Sequence, residues 1–268
     1  MISEQFGWPF FDWAWLRRRL LVTATVGCAA MLWGQAARAD FEIRYPIVDY
    51  RELEFEHNGS TSLDNRAGRN NNQSYTYEFG YAPLPWWGPE LELPFNAAPG
   101  SNSAFGGFTF ENTFQLAEPG EYWLTPGFFA EYQHAASRAN ADSVTFGPTV
   151  QREQLILGQA TLHTLNLFVA KQVGRNRNDA TPVAAAWQSR VRINPFFEPG
   201  VEYYGNFNNI VNRTTMSDPT HRAGPVVVGA WNFYQFGKIK YEAGYLFGLN
   251  NATERGTVRW RLEYEKAF

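Results

Sequence analysis

The chain reads as an all-β protein: a closed, antiparallel, up-and-down transmembrane β-barrel of about twelve strands. Three observations predict this. Beyond residue 40 the chain is a succession of segments that alternate apolar and polar residues with a period of two, so one strand face suits hydrocarbon and the other a polar lumen. The connectors between these segments alternate in length, short then long. Aromatics make up 17% of the residues, well above what an ordinary core needs, yet mean hydropathy is −0.39. Alternation hides a membrane signal from a hydropathy average, and the lack of a long apolar run after the leader excludes a helical membrane protein.

Residues 1–39 read as a cleaved secretory signal peptide and residues 40–268 as the barrel. Arg17-Arg18-Arg19 precedes an apolar run from Leu20 to Trp33, and Ala37-Arg38-Ala39 supplies a cleavage site before Asp40. The run falls short of the ~20 residues of a membrane span. Ahead of it, Trp8, Phe10, Phe11, Trp13 and Trp15 fit either a start codon further downstream or an unusually long positive region. The single cysteine, Cys28, lies in this leader, so the mature chain has no thiolate metal site and no cysteine nucleophile. Without the leader the formal charge moves from −3 to about −5, and no basic run remains to follow a nucleic-acid backbone.

The elements follow in order. The first strand, near 50–57, carries Glu52, Glu54 and Glu56. In the second, near 74–82, Tyr75, Tyr77, Phe79 and Tyr81 share a face opposite Thr76 and Glu78. The third (89–95), fourth (105–115), fifth (122–133) and sixth (143–153) bring Glu90 and Glu92, Glu111, Glu131 and Glu153 to the polar face. The seventh (161–173) carries His163. In the eighth (183–193), Trp187, Val191 and Ile193 oppose Arg190 and Arg192, and the ninth (196–207) adds Glu198 and Glu202. The tenth (221–233) opens on His221. In the eleventh (237–249), Ile239, Tyr241, Ala243, Tyr245 and Phe247 oppose Lys238, Lys240 and Glu242. In the twelfth (257–268), Trp260, Leu262, Tyr264 and Phe268 oppose Arg261, Glu263 and Glu265. An even count suits a bacterial barrel whose two ends share the periplasmic side.

Short connectors fall at 83–88, 117–121, 154–160, 194–195 and 234–236, and long polar ones at 58–73, 96–104, 134–142, 174–181, 208–220 and 250–256. Short periplasmic turns with longer surface loops are the asymmetry of outer-membrane barrels. Trp86, Trp87, Trp187, Trp231 and Trp260 fall at or near strand ends, where indoles settle at the headgroup level. Gly147-Pro148 and Gly224-Pro225 predict two bulged hairpins that bend the wall, since proline cannot donate to a ladder.

The expected lumen lining is Glu52, Glu54, Glu78, Glu92, Glu111, Glu131, Arg190, Arg192, Glu202, Lys238, Lys240, Glu242, Arg259, Arg261 and Glu263. Acids dominate the first six strands and bases the later ones. Barrel closure sets the last strand beside the first, so Arg259 and Arg261 are expected to reach Glu52, Glu54 and Glu56. Two uses follow. Ion pairs can fill the interior, because a desolvated charge costs several kcal/mol unless paired. Alternatively, an acidic wall facing a basic one sets a transverse field that orients a polar or zwitterionic solute. A narrow pore with a partly paired lining combines them.

The motifs assign no catalytic, cofactor-binding or metal site. Around His163 the order is Leu162-His163-Thr164-Leu165-Asn166, and Leu165 stands where a nucleophile two residues from the histidine would lie. His57, His134 and His221 fall at the loop side of scattered strands, available to a metal only if Glu56 or Glu131 join them.

The segment Trp260 to Phe268 resembles the C-terminal assembly signal of Gram-negative outer-membrane barrels, a terminal Phe preceded by alternating apolar residues. Glu111 to Gln115, Pro119 to Leu124, His163 to Phe168, Ala186 to Arg190, Glu198 to Tyr204 and Lys240 to Gly248 resemble a family of uncharacterised proteobacterial outer-membrane β-barrels. The chain is more distantly similar to the MetA-type barrels linked to phenol degradation. The resemblance implies the cell outer membrane as address, export through the periplasm, outer-membrane lipid around the barrel, and the barrel-assembly machinery as partner of the strand ending at Phe268. It transfers no catalytic residue. The expected function is a passive channel for a small polar or amphipathic solute; a plugged structural or partner-binding barrel is the alternative, and a lipid-modifying enzyme the third.

Overall fold

A computed structural model describes residues 41–209 and 219–268. The leader with Cys28 and most of the 208–220 connector lie outside the described residues.

The strands are β1 (Glu52–Leu63), β2 (Gln73–Tyr81), β3 (Trp87–Ala97), the two-residue β4 (Ala104–Phe105), β5 (Gly107–Gln115), β6 (Thr125–Ala135), β7 (Asp142–Ile156), β8 (Gln159–Val173), β9 (Pro182–Val191), β10 (Glu198–Asn209), β11 (Thr220–Asn232), β12 (Lys238–Gly248) and β13 (Gly256–Ala267). Setting β4 aside, a strip paired only to β3, twelve strands form the wall. Each pairs antiparallel with its sequence neighbour, and β1 pairs with β13 from Glu52↔Ala267 to Leu63↔Gly256. The ring is therefore closed and has no edge.

Alternation decides which way each side chain points. On β2, Thr76 and Glu78 are buried while Tyr77, Phe79 and Tyr81 are exposed. On β13, Arg259, Arg261, Glu263 and Glu265 are buried while Leu262 and Tyr264 are exposed. A soluble core has the opposite polarity. Here the ion pairs lie inside the ring and the apolar face lies outside it.

Most strand boundaries match the pattern, with three differences. β1 runs on to Leu63, because Asn58, Ser60 and Ser62 turn polar side chains inward and keep the ladder going. Gly59 faces outward there, and the Trp260 indole lies over it: a Cβ would come 2.5 Å from the ring. Trp260 therefore sits within the ladder and not at a strand end. β6 starts at Thr125, leaving Tyr122, Trp123 and Leu124 in the preceding turn. The expected bulges at Gly147-Pro148 and Gly224-Pro225 are absent, since the register is unchanged across each site, from Phe146↔Val169 to Thr149↔Asn166 and from Ala223↔Phe247 to Val226↔Gly244. The prolines interrupt the pairing without shifting it. The shift falls instead on β10, between Asn206 and Asn209.

The end carrying the short turns is ringed with exposed apolar side chains, among them Trp86, Trp123, Leu157, Phe197 and Tyr234. The β7–β8 turn there is a two-residue connection, Leu157-Gly158, with φ of 50° and 79°. Positive φ at both positions matches the twist of the flanking strands. At the other end the long connectors tie to one another. Arg66 donates to the carbonyls of Asn251 (2.7 Å) and Thr253 (2.6 Å), and Asp64 accepts from the Arg255 N–H (3.1 Å). The Arg66 side chain hydrogen-bonds Asp64 and holds its carboxyl well below the usual carboxylate range.

Gly147 and Gly224 face the backbone of their neighbours so closely that a Cβ would lie 1.9 Å from the carbonyl oxygens of Leu167 and Tyr245. Gly147→Ala and Gly224→Ala should each lower barrel stability by about 1–3 kcal/mol through overpacking. Urea unfolding followed by tryptophan fluorescence checks this, and an unchanged midpoint for both would show that the wall yields there.

Candidate functional site

An extended N-terminal segment, Phe41 to Asp49, enters the ring before β1. Sequence reasoning assigned it no role, because a short stretch containing Pro46 has neither the length nor the partner of a strand. Its contacts reach around the lumen wall. The Arg44 N–H donates to Asn166 Oδ1 (2.9 Å), and Asn166 Nδ2 donates back to the Arg44 carbonyl (2.7 Å). This amide clamp on β8 reads one residue's backbone as a neighbouring strand would. The Tyr45 hydroxyl reaches Gln188 and Glu242, both at 3.2 Å, and the Val48 N–H donates to Gln115 Oε1 (2.9 Å). Gly127 makes room for Pro46, whose ring a Cβ at 127 would meet at 2.6 Å.

The segment also gives the lumen a small apolar core. Ile43 packs with Ala186, Tyr204 and Leu246, flanked by Phe41 and Tyr45. Phe41 meets Tyr204 edge-on at 5.5 Å. The sequence held a signal for this: Phe129, Tyr204 and Leu246 are apolar residues on otherwise polar strand faces, and all three are buried.

Arg44 is the electrostatic centre of the segment. Its Nη1 donates to Glu42 (2.7 Å) and Glu78 (3.4 Å), its Nη2 donates to Glu111 (2.7 Å), and Glu90 lies 3.9 Å away. Its guanidinium also lies over the Phe129 ring at 5.2 Å. Burial holds the Glu42 carboxyl well above the usual range, against the pull of Arg44 and then Arg261. Around this point like charges oppose one another in register: Glu56↔Glu78, Glu78↔Glu92, Glu90↔Glu111 and Glu111↔Glu131. Opposed carboxylates destabilise a ladder, and the Arg44 guanidinium offsets that repulsion.

The bases of the later strands find partners close by. Arg259 chelates Glu202 through Nε (2.6 Å) and Nη2, and reaches Glu242 at 2.6 Å. Arg261 donates to Glu56 through Nε and lies 3.0 Å from Glu263 and 3.8 Å from Glu54. Lys240 bonds Glu263 (2.9 Å) and Glu265, while Lys238 pairs with Glu265 and lies 3.9 Å from Glu52. Arg190 pairs with Glu198 (3.2 Å), and Arg192 with Glu198 (3.3 Å) and Glu153 (2.7 Å). The expected reach of both terminal-strand arginines to β1 therefore holds for Arg261 alone. Arg259 stands opposite Ser60, above the last acid of β1, and crosses the interior to β10 instead.

These pairs and the segment leave a cavity of about 770 Å³ that opens at the short-turn end. Glu42 to Tyr45, Ile47 and Val48 roof it over at its inner end. Acids Glu52, Glu54 and Glu90 line one side; on the other, Arg190, Arg192, Lys238 and Lys240 alternate with Glu153, Glu198, Glu263 and Glu265. Trp123 stands at the mouth with the Arg152 guanidinium 5.4 Å over its ring.

The histidines are dispersed. His57 is mid-strand, not loop-side, because β1 continues past it; its ring stacks on Tyr77 on the outer face. His134 pairs with Asp142 (3.0 Å), and His221 meets the Tyr203 hydroxyl (2.8 Å). The His163 ring meets Gln154 at 3.1 Å. Among the described residues, the groups of acids close enough to share a cation contain no histidine. Two of these groups, Glu42-Glu56-Glu78 and Glu78-Glu90-Glu111, gather around Arg44.

No protein-family model matches the chain, and no curated protein matches it. The family likeness drawn from the sequence therefore rests on its quoted residues alone. Among solved structures, the chain is similar to the transport unit of the autotransporter AIDA-I from Escherichia coli, at 10% identity over 92% of this chain and 97% of that one, with a TM-score of 0.36. The closed barrel stands on its own ladder, independent of that likeness.

Arg259 is buried beside Glu202 and Glu242, and of the two Glu242 also has Arg261 at 3.7 Å. Arg259→Ala should cost about 3–5 kcal/mol, chiefly by leaving Glu202 uncompensated, and adding Glu202→Gln should recover part of the loss. Unfolding midpoints of the single and double variants check this; no recovery in the double variant would mean that Arg259 acts through packing alone.

Proposed function

We propose that the protein is an outer-membrane β-barrel acting as a closed-state channel for a small polar solute, its lumen gated by its own segment 41–49. The observation that carries this reading is the seating of that segment against both halves of the wall, above a charged vestibule open to the short-turn side. The membrane placement draws support from the outward apolar face and the ring of exposed aromatics at the turns, which suit lipid and its headgroup boundary. The short turns then face the periplasm and the tied loops face outward.

The segment suits a gate because side chains and one amide clamp hold it: Arg44 and Glu42 in ion pairs, the Tyr45 hydroxyl on Gln188 and Glu242, the Val48 N–H on Gln115, and a small apolar cluster. It carries no ladder hydrogen bonds of its own, so it can leave without opening the ring. The vestibule, with loosely paired acids Glu52, Glu54 and Glu90 on the β1–β3 side and mutually paired bases and acids on the β9–β13 side, would favour the cationic end of a solute on the first side. No catalytic or cofactor role is proposed.

Arg44→Glu places a fifth carboxylate among Glu42, Glu78, Glu90 and Glu111 and should expel the segment. In planar bilayers the unaltered protein should show rare, small openings, and the variant an about tenfold higher open probability, equivalent to ~1.4 kcal/mol of lost seating. The sealed alternative, a structural or partner-binding barrel, has its own support in the loop ties across the far end. It takes over if the folded, heat-modifiable variant carries no current.

A further inference from the structure

We infer that the carboxylate cradle around Arg44 is a guanidinium-binding site, and that the solute class of the barrel is a cation bearing a guanidinium group, which takes the place of Arg44 as the segment withdraws. The binding half stands on geometry alone; the transport half rests on the gated-channel reading.

The cradle belongs to the wall, and its cation does not. Glu78, Glu90 and Glu111 sit on β2, β3 and β5, with one oxygen from each within 4.8 Å of the others. Among the described residues, Arg44 is the only Lys or Arg within ion-pair reach of any of the three. The two terminal nitrogens of one planar cation reach carboxylates on different strands, Nη1 to Glu78 and Nη2 to Glu111, with the Phe129 ring 5.2 Å away, a spread of donors and a ring contact that suit guanidinium better than ammonium.

The wall also offers more acceptors than Arg44 uses. Glu111 binds through Oε1, and its Oε2 is buried without a hydrogen-bond partner. Thr109 Oγ1, two residues earlier on the same lumen face, is buried and unpartnered as well. A solute guanidinium group has the same N–H donors as Arg44 but, not tethered to the Asn166 clamp, has the freedom to turn them toward such oxygens. Like charges in register, as at Glu90↔Glu111, disfavour a cradle emptied of its cation. Withdrawal of Arg44 is therefore easiest when another cation of the same shape replaces it.

The test uses full-length Arg44→Ala folded in detergent, with millimolar guanidinium or methylguanidinium compared with sodium and tetramethylammonium at equal ionic strength. Guanidinium should raise the unfolding temperature of this variant with an apparent affinity about tenfold tighter than that of sodium, because only it donates charge-assisted hydrogen bonds to carboxylates on different strands. The preference should vanish in Arg44→Ala/Glu111→Gln and be absent from the unaltered protein, whose cradle is filled. Arg44→Gln, uncharged and closer in size, serves if Arg44→Ala does not refold. Equal responses to guanidinium and sodium overturn the site, even if Arg44→Glu conducts. A guanidinium preference in a protein that never conducts upholds the site and removes its transport half.

Discussion

The structure depends on one constraint: a sheet whose outer face is apolar and whose inner face is charged has to close, so that no edge leaves backbone N–H and C=O groups unpaired. The β1–β13 ladder meets that constraint, and the rest follows from it. Closure turns the second residue of every alternating pair inward, and most of those residues are polar, many of them charged. An interior that no soluble protein would tolerate becomes obligatory. Electrostatic compensation inside the ring then takes over the organising role that apolar packing has elsewhere.

That compensation is uneven around the circumference. On β9–β13 each base lies beside an acid of the same or a nearby strand, so this half is nearly self-sufficient. On β1–β6 glutamates face glutamates in register, and cations arrive from outside that arc: Arg261 at one edge and Arg44 from the N-terminal segment in the middle. The segment is thus a structural counter-ion as well as an obstruction. Its two roles are linked, because whatever removes the obstruction must also deal with the charge. In the proposed channel, this connects stability to permeation through a single guanidinium.

Much of the wall was legible in the alternation. Tyr77 and Phe79 against Glu78, or Leu262 and Tyr264 against Glu263, report their faces through a local rule that needs no partner. Strand ends were legible where turn residues interrupt the period, and illegible where polar residues continue it, as at Asn58 to Ser62 in β1. The candidate site was legible as a set of charges but not as a set of pairs. Arg259 and Arg261 are two residues apart on one face, yet one binds β10 and the other β1, because height above the last acid of each strand decides the partner.

What the sequence by itself determined is the period, and with it the strand number, the loop asymmetry and the inward placement of Glu52, Arg190, Lys240 and the other lumen residues. These are properties of neighbours along the chain, and a two-residue repeat encodes them locally. The tertiary structure alone decided that Phe41 to Asp49 lies within the ring, that Arg44 completes the acidic arc, and that a 770 Å³ vestibule remains beneath it. Those outcomes depend on residues 34 to 122 positions apart meeting across an enclosed space, and no periodicity records a distance that closure creates.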